Sequence, residues 1–147
     1  MDKNKFLVDL SESPMVEFGR VDFSDQSECQ RVFSAIWALE SQVNNGGFLQ
    51  YFSSSDFDTA EFAPEALRRI GANQCAAIVD QALAALPAQP LPKTQDECEA
   101  LVASLGDDTR ERFSELDDQF ITYPDSLTDL LFAFVAANPN VFGKAPR

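Results

Sequence analysis

From residue 25 onward, apolar residues recur at steps of three and four almost without interruption. That period matches the turn of an α-helix and not the two-residue repeat of a strand. Cys29, Val32, Phe33, Ile36, Leu39 and Val43 trace one face of a helix of about five turns, and Asp25 with Glu28 resembles a capping pair at its start. Asn44-Asn45-Gly46-Gly47 is expected to stop it, because asparagine and glycine reach positive φ at low cost. Phe48 to Ser53 then reads as a short helix or turn. Pro64 suits the first turn of the next helix, with Leu67 and Ile70 inward and Gly71 at its end. Asn73 is placed to cap another, which carries Cys75, Ile78, Val79, Ala82, Leu83 and Leu86 on one face. Three prolines make Leu86–Pro92 a stiff connector, read as an internal crossover and not a domain boundary.

Thr94-Gln95-Asp96-Glu97 is a capping box, opening a helix with Cys98, Leu101, Val102 and Leu105 inward as far as Gly106. Asp107 or Asp108 restarts the pattern with Phe113, Leu116 and Phe120, until Pro124. A last helix runs from about Ser126 to Asn138, where Pro139 ends it. The expectation is a single all-α domain: an extended N-terminal segment over 1–24, where Phe18, Val21 and Phe23 carry the only strand-like pattern, a helical core over 25–138, and a tail over 139–147.

Charge then narrows function by subtraction. The chain has 24 acidic against 11 basic residues, a net charge of −13, and no histidine. Nucleic acids and anionic membranes need a basic footprint, so direct binding to either is not expected. Mechanisms that use imidazole as base or ligand are excluded. Cys29, Cys75 and Cys98 are isolated and fall on apolar stripes, which reads as small buried hydrophobes, not a zinc site. Asp56-Phe57-Asp58 begins like a calcium loop but lacks the glycine at its sixth position. The expectation is therefore no metal, no cofactor and no catalytic residue. The apolar run Phe6-Leu7-Val8 is too short for a signal peptide and no stretch reaches membrane-spanning length, which predicts a reduced, cytoplasmic protein.

The acids are unevenly placed. Residues 94–129 hold 11 of them against Arg110 and Arg112, a net of −9. At about 100° per residue, Asp107, Glu111, Glu115 and Asp118 share one wedge of a helix with Asp108 at its edge, opposite Phe113, Leu116 and Phe120. Carboxylates four residues apart repel by about 0.2–0.5 kcal/mol per pair, and a face shaped for stability alone would mix in lysine. Together with Asp96, Glu97 and Glu99 on the preceding helix, this row is the candidate partner-binding face, a protein imitation of phosphates along a DNA strand. The alternative is electrostatic and local: Asp96, Glu97, Asp107, Asp108 and Asp129 lie in first helical turns, where acids favour the helix dipole and caps. Arg68-Arg69 reads as helix surface or as an internal partner for the acids.

The most specific run is Glu40-Ser41-Gln42-Val43-Asn44-Asn45-Gly46-Gly47-Phe48-Leu49-Gln50-Tyr51-Phe52, followed by Ala66-Leu67-Arg68-Arg69-Ile70-Gly71-Ala72. Glu40, Asn44, Asn45 and Gln50 set polar groups among Trp37, Val43, Phe48, Tyr51 and Phe52, around Gly46 and Gly47. This reads as a structural corner that satisfies loose backbone groups at a helix end. The other reading is a small-ligand pocket at Asn44–Gln50. The motif resembles a bacterial family of helical domains of unknown function, one member of which is a DNA mimic that occupies a transcription factor's DNA-binding surface. The resemblance implies a helical fold and makes a mimic role an expectation. It assigns no acidic residue, because the signature lies in the corner and not on the acidic face. The partner expected is a basic protein such as a helix-turn-helix repressor. A homodimer is compatible with this, and an immunity or antitoxin-type protein that binds a basic toxin is the rival from the same charge pattern.

Overall fold

The computed structural model describes residues 1–145. Among them are eight α-helices, two single 3-10 turns at Phe23–Asp25 and Phe57–Thr59, and no strand. The all-α expectation holds.

The fold is organised on one long helix, α2 (Glu28–Ser53). Val32, Phe33, Ala35, Ile36, Ala38 and Leu39 have no exposed surface, so this stretch is buried on nearly every side and not along one stripe. Ser34 sits inside that stretch and is tolerated because its hydroxyl donates to Gln26 Oε1 at 2.6 Å. Against α2 pack α3 (Ala63–Arg69), α5 (Gln95–Ala103) and α6 (Asp107–Ile121), while α4 (Asn73–Ala84) bridges α3 and α6. An aromatic chain locks α2 to α6. Phe48 meets Phe120 edge-on at 5.7 Å and Phe52 meets Phe113 at 5.9 Å. Removing such a fully buried ring costs about 3–5 kcal/mol.

Two expectations need correction. Residues 1–24 are not extended throughout, because Lys3–Ser11 forms α1. The Asp2 carboxylate accepts from the Lys5 amide at 3.0 Å, and Lys5 pairs with Asp9 one turn on. Leu7 and Leu10 are buried, and Phe6 packs edge-on to Phe132 of α7 (Leu127–Ala136). The strand-like Phe18, Val21 and Phe23 lie in turns. Gln30 of α2 staples that loop, donating to the Met15 carbonyl and accepting from the Glu17 amide. Nor is 139–145 a tail, since Pro139–Phe142 forms α8 and Phe142 is buried against Phe33 and Phe134. Residues 146 and 147 of the expected tail lie outside the described residues.

Helix ends follow the sequence in part. Thr94 caps α5, accepting from the Glu97 amide at 3.2 Å, and its hydroxyl donates to Glu97 Oε1 at 3.0 Å in place of the backbone bond of a full capping box. Gly71 ends α3 at φ 88°, and Arg68 and Arg69 pair with Asp80 and Glu28 on neighbouring helices. The start of α2 is Ser27 and not the Asp25–Glu28 pair. Asn73 is the first helical residue of α4 and caps nothing with its side chain.

Candidate functional site

The wedge on α6 forms as its spacing requires. Phe113, Leu116 and Phe120 are buried, and Asp107, Asp108, Glu111, Glu115 and Asp118 are all exposed. The row from Asp107 to Asp118 spans roughly 16 Å at the helical rise. Its local cations do little to neutralise it. Arg110 is turned away, donating to the carbonyls of Val102 and Leu105 at the end of α5. Arg112 reaches Glu115 at 3.3 Å and gives its other arm to Gln81 of α4. Among the described residues, Asp107, Asp108, Glu111 and Asp118 have no ion-pair partner. Asp96, Glu97 and Glu99 are exposed on α5, outside the row. Glu97 accepts from the Thr94 hydroxyl at 3.0 Å and Glu99 accepts from Gln95 at 3.3 Å.

Two acids of the same segment do something else. The Asp117 carboxylate accepts from the Phe48 amide at 2.8 Å. The Asp125 carboxylate accepts from the Cys75 amide at 2.8 Å. Each closes the exposed start of a helix that its own neighbours leave uncapped, so Asp125 takes the role expected of Asn73. Burial raises the Asp117 carboxyl above its ordinary value, against the lowering effect of the Phe48 amide. On the helical wheel Asp117 sits between the acidic wedge and the Phe113 face. That boundary position is the clue which separates it from its exposed neighbours.

The Glu40–Tyr51 motif builds this capping arrangement. Asn44 and Asn45 remain helical, and the break in α2 falls at Gly46 (φ −158°, ψ 16°) and Gly47 (φ 81°, ψ −177°). A Cβ on Gly47 would stand 2.3 Å from Asp117 Oδ2. A Cβ on Gly46 would stand 1.9 Å from Gln50 Oε1. Glycine at 47 thus serves both a left-handed backbone and the carboxylate that caps Phe48. Glycine at 46 leaves room for Gln50 to fold back and donate to Gln42 Oε1 at 2.8 Å, and Gln42 in turn donates to Asp56 at 3.0 Å. Tyr51 is fully buried with its hydroxyl 2.6 Å from Thr59 Oγ1, and burial pushes its phenol upward. Asn45 is exposed.

Asn44 faces elsewhere. Its amide donates to the Tyr123 hydroxyl at 2.7 Å, and that hydroxyl donates to Glu40 Oε1 at 3.1 Å. Burial raises the Glu40 carboxyl, with the Tyr123 bond opposing. Asn44 and Gln50 therefore serve different networks. Tyr123 was not among the expected site residues. It is held at φ 52°, a costly conformation for a non-glycine residue, just before Pro124.

Cys75 and Cys98 are buried and Cys29 is half-buried, all three with free thiols. Burial pushes the Cys75 thiol up to about 11. Among the described residues, no three His, Cys, Asp or Glu side chains are grouped to hold a metal ion, and no helix is long and apolar enough to cross a membrane.

No curated protein and no solved structure matches the chain. The family model described as DMP19-like protein matches residues 24–138, from the turn before α2 to the residue that opens α8. The match covers most of the chain, including the glycine break and both acidic helices, so the chain belongs to the DMP19-like family.

Proposed function

We propose that this chain is a non-enzymatic, acidic DNA-mimic protein that competes with DNA for the basic surface of a DNA-binding protein, such as a transcriptional repressor. The observation that carries the reading is the row Asp107–Glu111–Glu115–Asp118. It is exposed along one face of α6 and nearly free of internal counter-charge, while Asp117 and Asp125 of the same segment are used up as caps. Acids spaced about 6 Å apart on a rigid rod present the regular negative charge that a phosphate-binding surface is built to meet. Rigidity keeps that spacing fixed, and here it comes from the Phe48, Phe52, Phe113 and Phe120 rings behind the row. Asp96, Glu97 and Glu99 extend the negative field from α5. Family membership supports the same reading.

Such a complex gains much of its rate from electrostatic steering, so it weakens with salt. The test is competition. The protein should displace labelled operator DNA from a helix-turn-helix repressor it binds, and raising the salt should weaken its own binding to the repressor. Binding that leaves the DNA in place would favour an immunity-type role on a different basic surface.

A further inference from the structure

Away from the acidic row, two hollows meet at Asn4 of α1 and Glu40 of α2. One, of about 140 Å³, is also bounded by Trp37 and Asn44. The other, of about 440 Å³, is also bounded by Tyr123 and Thr128. The cleft thus lies where α1, α2, the end of α6 and the start of α7 converge, a usual place for a small-molecule site in a helical protein.

Among the residues that line it, the one charged group is the Glu40 carboxylate. The Tyr123 hydroxyl spends its proton on Glu40 Oε1, and Asn44 Nδ2 donates to that same hydroxyl. Glu40 Oε2 and the Asn44 carbonyl oxygen remain there as acceptors, beside the second N–H of Asn44. A carboxylate has up to four acceptor sites, and this one has a single donor. Among the described residues no lysine or arginine pairs with Glu40. Lys3, beside Asn4, is held by Asp129 at 3.3 Å and stands over the Phe132 ring. The start of α7, which attracts anions, is already met by Asp129, itself bonded by the Ser126 hydroxyl at 3.0 Å. The indole of Trp37, stacked on Phe33 at 5.5 Å, is half-buried at the wall. Tyr123 is fixed in its strained backbone conformation, and this holds the hydroxyl that orients Glu40.

We propose that this cleft binds a single guanidinium or ammonium group, with Glu40 as counter-charge and Trp37 as aromatic wall. A cation that only donates hydrogen bonds matches a carboxylate without a counter-charge and the Asn44 carbonyl oxygen, and both cations lie favourably against an indole. The same chemistry is offered by a free alkyl cation or by an arginine or lysine side chain of a partner.

Trp37 is the single tryptophan of the chain, so its fluorescence reads the cleft directly. The titrants are n-butylguanidinium chloride, n-butylammonium chloride and the neutral n-butylacetamide, at constant ionic strength. The two cations should give a saturating change and the amide none. Glu40→Gln keeps an acceptor for Tyr123 and should weaken cation binding at least tenfold. Should that variant fold poorly, Thr128→Lys, which places a cation in the cleft, should weaken it likewise. The peptide acetyl-Gly-Arg-Gly-amide separates the sources: binding tenfold tighter than butylguanidinium assigns the cleft to a partner's side chain, and equal or weaker binding assigns it to a free cation. A non-saturating response, an equal response to the amide, or affinity unchanged in both variants would overturn the site. The α6 row is untouched by these variants, so this inference and the mimic reading can fail separately.

Discussion

At Gly47 two demands coincide, a left-handed backbone and a carboxylate where a Cβ would be. Gly47→Ala should therefore cost about 1–3 kcal/mol in urea unfolding, combining backbone strain with displacement of the Asp117 cap. A loss under about 0.5 kcal/mol would mean that the break in α2 does not depend on glycine. Gly46 needs its glycine for space alone, since φ near −158° is open to any residue. The thiols give a second residue-scale expectation. Cys75 is buried with its thiol raised to about 11, and Cys98 is buried with its thiol raised too. Both should resist a thiol reagent in the native state, and half-buried Cys29 should react first. Rapid labelling of Cys75 would contradict the packing of α4.

Two helix starts in this molecule, Phe48 in the second half of α2 and Cys75 in α4, are capped by carboxylates 69 and 50 residues away in the chain. Asp125→Ala should cost about 0.5–2 kcal/mol, the usual value of a lost cap, and hydrogen exchange should rise at the first turn of α4 and not across α7. Uniform loss of protection would show that Asp125 acts on the whole fold instead. These long-range caps also mark where sequence reading stops. The helices from α2 to α7 were legible because period and local punctuation, such as Thr94 with Glu97 and Pro64 with Gly71, agree with the fold. The exposed row on α6 was legible because a wheel separates Glu111 from Phe113. Asp117, Asp125 and Tyr123 were not, since their partners lie far along the chain and only tertiary packing brings them together. The helix α1 was missed for a related reason: its apolar face is short, and it is completed by Phe132 of α7.

Over the whole molecule, charge dominates. Burial raises the carboxyls of Glu40, Asp58 and Asp117, so the folded protein holds protons at a pH where the unfolded chain has released them. Their contribution is present below the ordinary carboxylate range and is lost as pH rises through the raised values. Asp129, lowered by its bonds to Ser126 and Lys3, runs the other way but is exposed. Self-repulsion at a net charge of −13 adds to the first trend. The urea midpoint should therefore rise as pH falls from neutral toward the ordinary carboxylate range, and Glu40→Gln should flatten part of that rise. A midpoint that falls over the interval would contradict the assignment. The functional claim rests on the same charge. Replacing Asp107, Glu111, Glu115 and Asp118 with lysine adds two charges at each position and takes the net charge from −13 to −5, while sparing Phe113, Leu116 and Phe120 on the opposite face. Helicity should be kept, with stability changed by no more than about 1 kcal/mol as lost repulsion offsets lost dipole contacts at Asp107. The decisive measurement is displacement of labelled DNA from the bound DNA-binding protein by the native chain and by this four-lysine variant, side by side. The account predicts displacement by the native protein and none by the variant; displacement that survives the reversal, or its absence with the native protein, would contradict the mimic reading.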